Sequence, residues 1–396
     1  MKVQKIIALG IVILMLLSSA FGENTEESNK KTISGTITNS KNGEALIGAT
    51  VYVKELETGT STNAYGYYSI SLPPGNYTLQ FSYIGFQKKT IKIDLEENIT
   101  KNVELESKQE LLQEVVVTGE KSTANVSKNE MSVSKMDAKT IKQIPAMMGE
   151  TDLIKAVQLL PGVQFATEGS SGFTVRGGSP DQNLILLDEA TVYNGSHLMG
   201  FFSIFNNDAI KDVKLYKGNI PASAGGRLAS LLDIRMKDGN KKELSGRGGI
   251  GTISSRLTLE GPLDKDKASF LVSGRRSYAD LFLPFSSNED VRNNKLYFYD
   301  LNAKLNYKIN ENNRIFASGY YGRDVFKNPD FQIGWGNNTY TVRWNHLFSK
   351  KIFSNFTFVK SNYDYNLGVP EGQPNSFLWK ADLNDYAFKA DFVFYP

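Results

Sequence analysis

The C-terminal third of the chain alternates apolar and polar side chains with a period of two. Within residues 297–309 every odd-numbered position is Tyr, Leu, Ala or Ile, and every even-numbered position from 300 onward is Asp, Asn or Lys. Residues 256–260, 340–348 and 386–394 alternate in the same way. Because successive side chains of a β-strand point to opposite faces, this pattern predicts a sheet with one apolar and one polar face.

The connections between these runs are expected to alternate in length. Short connections are predicted at residues 261–267, 310–313 and 349–350, and long ones at residues 278–295, 324–338 and 366–385. Transmembrane barrels combine short periplasmic turns with long outer loops and carry aromatic residues at both interfaces. A water-soluble sandwich with one wet face also alternates, but it predicts neither this rhythm nor the concentration of Tyr and Phe here. We therefore predict about eight strands of an antiparallel transmembrane β-barrel in residues 244–396.

An eight-stranded barrel is too narrow to enclose another domain. Its interior is just wide enough to be filled by side chains, whereas outer-membrane transporters that hold a plug close with about 22 strands. The alternating pattern also continues to the last residues, 393–396. The sequence therefore predicts part of a larger barrel, and we expect a fragment or truncated reading frame that does not transport by itself.

The N-terminus has the features of an export signal. Two lysines precede an apolar run at residues 6–17, and small residues follow it. This order is typical of a secretory signal peptide. The alternative is an N-terminal membrane anchor, but the run is shorter than the roughly 20 residues that a transmembrane helix needs. We predict a signal peptide at residues 1–22, and the absence of cysteine excludes disulfides and a lipoprotein anchor.

Residues 31–107 alternate short β-type runs with turn sequences. Strands are expected at residues 32–38, 49–56, 67–72, 77–84, 89–95 and 101–105. This spacing predicts a compact all-β sandwich. The strings SGTITNSKNGEALIGATVYV and GYYSISLPPGNYTLQFSYIGF resemble the carboxypeptidase regulatory-like domain. The resemblance implies a periplasmic accessory module, for which a binding role and a purely structural spacer role both stay open.

A short valine-rich segment lies inside a polar linker at residues 108–130. It consists of Glu114, Val115, Val116, Val117 and Thr118. An extended segment of this kind can pair with the edge of another protein's sheet. The alternative is that it forms the last strand of the sandwich. The segment resembles the TonB box of TonB-dependent receptors, which implies binding by a TonB-type periplasmic energy transducer.

Residues 131–240 mix helix and strand signals around glycine-rich turns. A helix is expected at residues 151–160 and strands at residues 184–187, 213–216 and 231–236. The strings FTVRGGSPDQNLILLDEATVYN and AIKDVKLYKGNIPASAGGRLASLLDIRMKDG resemble the plug domain of TonB-dependent receptors of the Bacteroidetes type. The resemblance rests on Arg176, Gly177, Gly178, Asp188, Lys217, Gly218, Gly225, Gly226 and Arg227.

The plug region departs from the family pattern at one position. The family usually has glycine after the aspartate that corresponds to Asp188, and this chain has Glu189. We further expect Arg176, Arg227 and Arg235 to pair with carboxylates of the barrel wall and hold the plug in place. The alternative is that they are ordinary loop arginines.

Together these segments predict a mainly β protein: an N-terminal β-sandwich, a mixed α/β plug and a partial antiparallel transmembrane β-barrel. The resemblance implies a receptor in the lipid of the outer membrane. It would import a scarce small ligand (a siderophore, vitamin, glycan or peptide) when the transducer displaces the plug. A surface lipoprotein is a further expected partner. The alternatives are an outer-membrane signalling receptor and a surface-binding protein without transport.

The residue chemistry argues against an enzyme. His197 and His346 are far apart, and the sequence shows no HExxH motif, Walker motif or nucleophile–His–acid set. Each histidine is therefore predicted to be a loop or strand residue without a metal, and no cofactor is expected. The net charge of +3 without a long basic run argues against nucleic acid as a partner.

Overall fold

The structure is a computed structural model that describes residues 30–108, 132–137, 140–141, 143–144, 150–167 and 171–396. The chain divides into two compact units, one made mainly of residues Ala45–Glu106 and the other mainly of residues Ser107–Val393. The predicted signal peptide at residues 1–22 and the valine-rich segment at residues 114–118 lie outside the described residues.

The first unit is a small β-sandwich. Its strands are β1 (Lys31–Asn39), β2 (Thr50–Val53), β3 (Thr58–Ser61), β4 (Tyr67–Leu72), β5 (Gly75–Ser82), β6 (Lys89–Leu95), β7 (Ile99–Thr100) and β8 (Val103–Leu105). One sheet has the order β4-β1-β7, with β8 also on β1, and the other has the order β3-β2-β5-β6. Ile33, Tyr68, Leu79 and Phe81 are fully buried between them, which confirms the predicted sandwich.

Strand β3 was not predicted, because Thr58 and Gly59 read as a turn. A Cβ atom on Gly59 would lie 2.5 Å from the carbonyl oxygen of Val51 on the neighbouring strand. Gly59 therefore lets β2 and β3 approach closely, which is one of the uses of glycine inside a strand.

The second unit begins with a mixed α/β domain, the plug. Its elements are β9 (Val133–Asp137), α1 (Leu153–Gln158), β10 (Val163–Phe165), β11 (Phe173–Val175), β12 (Asn183–Leu187), β13 (Ala190–Thr191), β14 (Ser196–His197), β15 (Phe202–Ser203), β16 (Ile210–Tyr216) and β17 (Ser230–Met236), with 3₁₀ turns at Pro180–Gln182 and Leu198–Gly200. Five strands form a sheet of order β13-β12-β17-β16-β9, in which β12 and β17 are parallel. Helix α1 begins after Asp152, whose side chain accepts the N–H groups of Ile154 and Lys155.

The rest of the second unit is one antiparallel sheet, here called the wall. Its strands are β18 (Ser245–Ile250), β19 (Ser254–Asp264), β20 (Ala268–Ser277), β21 (Lys295–Asn310), β22 (Asn313–Lys327), β23 (Gln332–Ser349), β24 (Ile352–Val369) and β25 (Phe377–Phe394). They follow one another in sequence order, which confirms the eight predicted strands. The connection from β20 to β21 contains 3₁₀ turns at Ala279–Leu281 and Leu283–Phe285 and the short helix α2 (Glu289–Arg292).

The wall is polar where it is buried and apolar where it is exposed. The buried face, here called the plug face, carries Ser273, Asn302, Lys304, Asn306, Thr341, Arg343, Asn345 and Thr357. The opposite face exposes Leu257, Leu301, Leu305, Tyr307, Val342, Trp344, Phe358 and Phe388. The predicted alternation is therefore present, and its orientation is opposite to that of a water-soluble sheet, which buries its apolar face.

The predicted rhythm of connections is partly correct. The short turns at residues 265–267, 311–312 and 350–351 are confirmed, as is the long connection at residues 278–294. The long loops predicted at residues 324–338 and 366–385 are wrong, because β22 to β25 extend through most of both ranges. A Cβ atom on Gly336 would lie 2.9 Å from the carbonyl oxygen of Gly322. The glycines that suggested loops instead permit close approach between strands.

Within the described ranges, no helix is both long and apolar enough to cross a membrane.

Candidate functional site

The plug and the plug face of the wall meet through charged side chains. At the centre of this boundary, β12 and β13 are joined by the two-residue turn Asp188–Glu189. Both turn residues have positive φ, 46° at Asp188 and 74° at Glu189. A tight hairpin turn with two positive φ angles favours Asp or Asn followed by Gly. This geometry explains why glycine is usual at the second position and why Glu189 is strained there.

Asp188 is anchored on both sides of its turn. Its carboxylate lies 3.0 Å from Nζ of Lys304 on the wall and accepts the backbone N–H of Met236 at 3.0 Å. Its carbonyl oxygen accepts the Thr341 hydroxyl at 3.0 Å. Burial alone would raise the pKa of Asp188, but the charges of Lys304 and Arg343 hold it below its ordinary value. The aspartate is therefore an ionised anchor between plug and wall.

Lys304 joins the turn to the end of the plug sheet. Its ammonium also lies 3.2 Å from the carboxylate of Asp238 and donates to the carbonyl oxygen of Met236 at 2.9 Å. One wall lysine thus forms ion pairs with two carboxylates of the plug and a hydrogen bond with its backbone.

Glu189 adds a second ionic contact to the wall. Its carboxylate lies 3.0 Å from Arg343 on β23 and 3.5 Å from Arg235 on β17. Burial would raise the pKa of Glu189, and the two guanidinium groups outweigh it, so the pKa is lowered. The side chain that strains the turn therefore also binds it to the wall.

A second charged cluster lies near the end of the wall at which the long connection joins β20 to β21. Arg275 on β20 contacts Glu150 of the plug at 2.9 Å and Asp300 on β21 at 2.7 Å. It also donates to the carbonyl oxygen of Ser203 at 2.7 Å. Asp300 in turn lies 3.2 Å from Nε2 of His197. Arg275 therefore connects two parts of the plug to the wall.

A polar cavity of about 230 Å³ opens beside this cluster. The Glu150–Arg275 pair lines it, together with a further plug–wall pair, Asp208 with Arg256 at 3.0 Å. The cavity is large enough to hold water beside these ion pairs.

The family-motif residues of the plug come together at the opposite end of its sheet from Asp188. Arg176 has a φ of 50° and donates to the hydroxyl of Ser132 at 3.0 Å. Lys217 donates to the carbonyl oxygen of Pro161 at 3.0 Å, and its backbone N–H donates to Ser132 at 3.1 Å. A Cβ atom on Gly218 would lie 3.1 Å from Nη1 of Arg176. The two turns therefore surround the residue at which the described plug begins.

The remaining motif residues lie next to these turns. Gly177 has a φ of 81° and Gly226 a φ of 101°, both in the region that favours glycine. A Cβ atom on Gly178 would lie 2.5 Å from the Cβ of Ala229, so this glycine is required for packing. Gly225 and Arg227 belong to an exposed stretch before β17.

The contacts described for Arg176 and Arg235 lie within the plug rather than at the wall carboxylates that we expected. Arg176 contacts Ser132, and Arg235 contacts Glu189 and Asp233, all of them plug residues. Arg227 is exposed. The polarity at the Asp188–Glu189 turn is the reverse of the expected one, because carboxylates of the plug face basic groups of the wall.

The sequence analysis did not identify the wall residues that contact the plug. Asp300 and Lys304 occupy polar positions of the run at residues 297–309, and charge on the inner face of a predicted strand was the available signal. Nothing in the sequence distinguished His197 from His346. Among the described residues no group of three or more His, Asp or Glu is arranged to hold a metal ion.

Two family profiles match the chain. Residues 125–230 match the TonB-dependent receptor plug domain, and residues 33–117 match the CarboxypepD_reg-like domain. The chain contains the plug domain of TonB-dependent receptors. These proteins are outer-membrane receptors and transporters rather than enzymes.

Curated relatives carry the same family name. A TonB-dependent receptor of Formosa agariphila is 25% identical over 314 residues, which cover 74% of this chain and 29% of the relative. The TonB-dependent receptor SusC of Bacteroides thetaiotaomicron is 29% identical over 196 residues, which cover 46% of this chain and 18% of SusC. The chain thus spans less than a third of the length of either relative.

Two solved receptors align with part of the chain. The ferric enterobactin receptor of Pseudomonas aeruginosa aligns over 67% of this chain and 46% of its own, with 17% identity and a TM-score of 0.49. The siderophore receptor of Acinetobacter baumannii aligns over 64% of this chain and 44% of its own, with 16% identity and a TM-score of 0.46.

Proposed function

We propose that this chain acts in the outer membrane as part of a TonB-dependent receptor that imports a scarce nutrient. The observation that carries the proposal is the wall: an antiparallel sheet with an exposed apolar face and a charged, polar face covered by the plug. Lipid is the solvent that stabilises such an arrangement, because in water the exposed rows of Leu, Tyr and Phe would be unfavourable.

The contacts between plug and wall suit reversible rather than permanent binding of the plug. Its contacts with the wall include buried ion pairs such as Asp188–Lys304 and Glu150–Arg275. Buried ion pairs contribute little net stability relative to apolar packing, because separating them restores the hydration of each ion. A boundary of this kind fits the plug firmly in one position and still lets water replace the contacts when the plug moves.

The proposed point of force is the segment Glu114–Thr118. The polar linker that carries it enters the plug at Ser132, directly before β9, and β9 is an edge strand of the plug sheet. A transducer that pairs with the valines would therefore pull first on an edge strand, which is paired only with β16 in this sheet. Force on an edge strand breaks its hydrogen bonds to β16 one after another, which needs less force than shearing a central strand.

Substitution inside the valine segment tests energy coupling. In the larger receptor of which we propose this chain is a part, Val116→Pro removes a backbone donor and prevents strand pairing, so we expect ligand binding at the cell surface to continue while uptake falls to the level of cells without the transducer. Ser122→Pro, in the same linker but outside the segment, is the matched control and should keep uptake. Binding without any transducer-dependent uptake in the wild type would favour the surface-binding alternative and overturn the proposal.

The nutrient is identified by growth. A strain that lacks this gene should lose growth on one class among iron–siderophore complexes, cobalamin, oligosaccharides and peptides when that class is the sole source. Uptake of the same compound should then require the predicted export signal at residues 1–22 and, for a ligand captured with a surface lipoprotein, that partner as well. Unchanged growth and uptake on every class would contradict an import role.

A further inference from the structure

His197 lies where the plug meets three strands of the wall. It is the last residue of β14, is 1% exposed, and stacks on Phe298 with ring centroids 4.2 Å apart. Its Nδ1 atom lies 2.6 Å from a carboxylate oxygen of Asp324, and its Nε2 atom lies 3.2 Å from one of Asp300. The ring is thus placed between two carboxylates of neighbouring strands.

This geometry decides the protonation state of the ring. A neutral imidazole has one N–H, so one of its nitrogens would direct a lone pair at a carboxylate. The imidazolium has two N–H groups and donates to both carboxylates. The titratable groups that face the ring are Asp324 and Tyr320 of β22 and Asp300 of β21, and Arg275 of β20 is bound to the same Asp300 oxygen.

The charge balance of the buried site around His197 also favours the imidazolium form of the ring. Glu150, Asp300 and Asp324 bring three carboxylates into a buried site, and Arg275 supplies one positive charge. A neutral His197 leaves two negative charges uncompensated, whereas the imidazolium leaves one. Uncompensated buried charge is strongly unfavourable, so loss of the proton and separation of plug from wall are coupled.

We propose that His197 is a proton-controlled latch between plug and wall: its imidazolium bridges Asp300 and Asp324, and its deprotonation releases the plug segment at residues 196–203. Asp324 holds the same segment a second time, because it accepts the backbone N–H of Leu198 at 2.8 Å. Leu198 and Met199 have φ angles of 48° and 54°, a strain that the contacts at Asp324 maintain. The biological role of the latch rests on the plug displacement proposed above, whereas its protonation is measured without import.

The direction of the pH dependence follows from the surroundings. Burial would lower the pKa of His197, but the charges of Asp324 and Asp300 outweigh it, and the pKa lies above its ordinary value. A group with a raised folded pKa stabilises fully below its unfolded pKa of about 6.5 and loses this contribution as the pH rises through the folded value. The latch is therefore closed below the ordinary imidazole pKa of about 6.5 and opens as the pH rises through the higher pKa of the folded protein.

The proton is observed directly by NMR of the ring nitrogens, since the chain has two histidines. In the full chain with His346→Gln, the single remaining ring should keep the imidazolium pattern as the pH rises past about 6.5. A neutral ring at that pH would overturn the proposal. The measurement leaves the latch residues unchanged and does not depend on transport.

Release of the segment is measured with a spin label. The chain lacks cysteine, so Met199→Cys places one label on an exposed site beside the latch, and Leu228→Cys gives a matched exposed site elsewhere on the plug. The label at position 199 should change from a mainly immobile to a mainly mobile spectrum as the pH rises, and the label at position 228 should not change. Equal responses at both sites, or none at position 199, would contradict the latch.

Two variants separate the latch from general destabilisation. His197→Gln should make the label at position 199 mobile at every pH. Asp324→Asn lets a neutral ring donate to Asp300 while accepting from the amide, so it should abolish the pH dependence of mobility. The control His346→Gln, at a histidine that pairs with Asn313, should behave as the wild type. A pH response that survives Asp324→Asn unchanged would sink the assignment.

Discussion

The ammonium of Lys304 on the wall lies 3.0 Å from the carboxylate of Asp188 at the tip of a plug hairpin, and both side chains are almost fully buried. The same ammonium reaches Asp238 at 3.2 Å, just beyond the same end of the neighbouring, parallel plug strand. A single wall residue therefore sets the position of the plug at two points. Such non-local charge pairs hold the plug–wall boundary together with apolar contacts such as that between Phe202 and Phe298.

Removal of the Lys304 charge should loosen the plug. Lys304→Gln removes the ammonium that both Asp188 and Asp238 contact and leaves only the more distant Arg343 and Lys211, so we expect a loss of about 3 kcal/mol in the free energy of unfolding. Lys308→Gln on the same strand is the control, because Lys308 pairs with the largely exposed Glu311 and should cost less than about 1 kcal/mol. Denaturant titration of both variants measures the difference, and similar losses would contradict the assigned role of Lys304.

Glu189 should separate turn strain from ionic anchoring. Glu189→Gln keeps the strained backbone and removes the charge that binds Arg343, so it should be the most destabilising change at this site, by about 3 kcal/mol. Glu189→Gly also removes the charge but relieves the positive φ, which returns roughly 1–2 kcal/mol. Thermal unfolding should thus rank wild type above Glu189→Gly and Glu189→Gly above Glu189→Gln, and the reverse order of the two variants would show that strain is unimportant here.

Gly178 should be required for packing rather than for its backbone angles. In Gly178→Ala the new methyl would collide with Ala229, and we expect a loss of about 1–3 kcal/mol of stability. Ala229→Gly removes the colliding atom, so the double variant should recover most of that loss. Gly177→Ala is the contrast, since no atom lies near but φ is positive, and Ala229→Gly should not rescue it. Additive effects at positions 178 and 229 would argue against the contact.

Acid should release the plug as well as alkali. Lys304 and Arg343 lower the pKa of Asp188 despite its burial, so its contribution is complete above the ordinary carboxyl range near pH 4 and is lost as the pH falls through the folded pKa. His197 contributes in the opposite direction. Proteolysis of the plug should therefore be slow throughout the window between the ordinary carboxyl pKa near 4 and the ordinary imidazole pKa near 6.5, and Asp188→Asn should flatten only the acid side. A monotonic dependence on pH would contradict this account.

Local pattern was enough to predict the wall strands and the sandwich. The alternation in residues 297–309 predicts a half-buried strand, and the structure has that strand at Lys295–Asn310. The two long loops were predicted wrongly because glycine and asparagine also occur in turns. Gly334, Gly336 and the neighbouring asparagines resemble turn residues, and their role depends on the strand beside them, which the local sequence does not reveal.

The charged boundary was not predictable from local pattern. Whether Arg176 meets a wall carboxylate or Ser132 depends on which end of the plug sheet faces the wall, a non-local property. His197 acquires its two carboxylates from residues more than 100 positions away. The identity of one residue does not indicate which residue distant in sequence it will contact.

The central claim, that the wall has one face in lipid and the other against the plug, is tested by a cysteine scan of β21. Single cysteines at positions 301–307 of this cysteine-free chain are labelled with a fluorophore in vesicles that contain brominated lipid, which quenches only labels within the bilayer. We predict quenching with a period of two, strong at positions 301, 303, 305 and 307 and weak at positions 302, 304 and 306. Uniformly weak quenching, or strong quenching at positions 302, 304 and 306, would contradict the account.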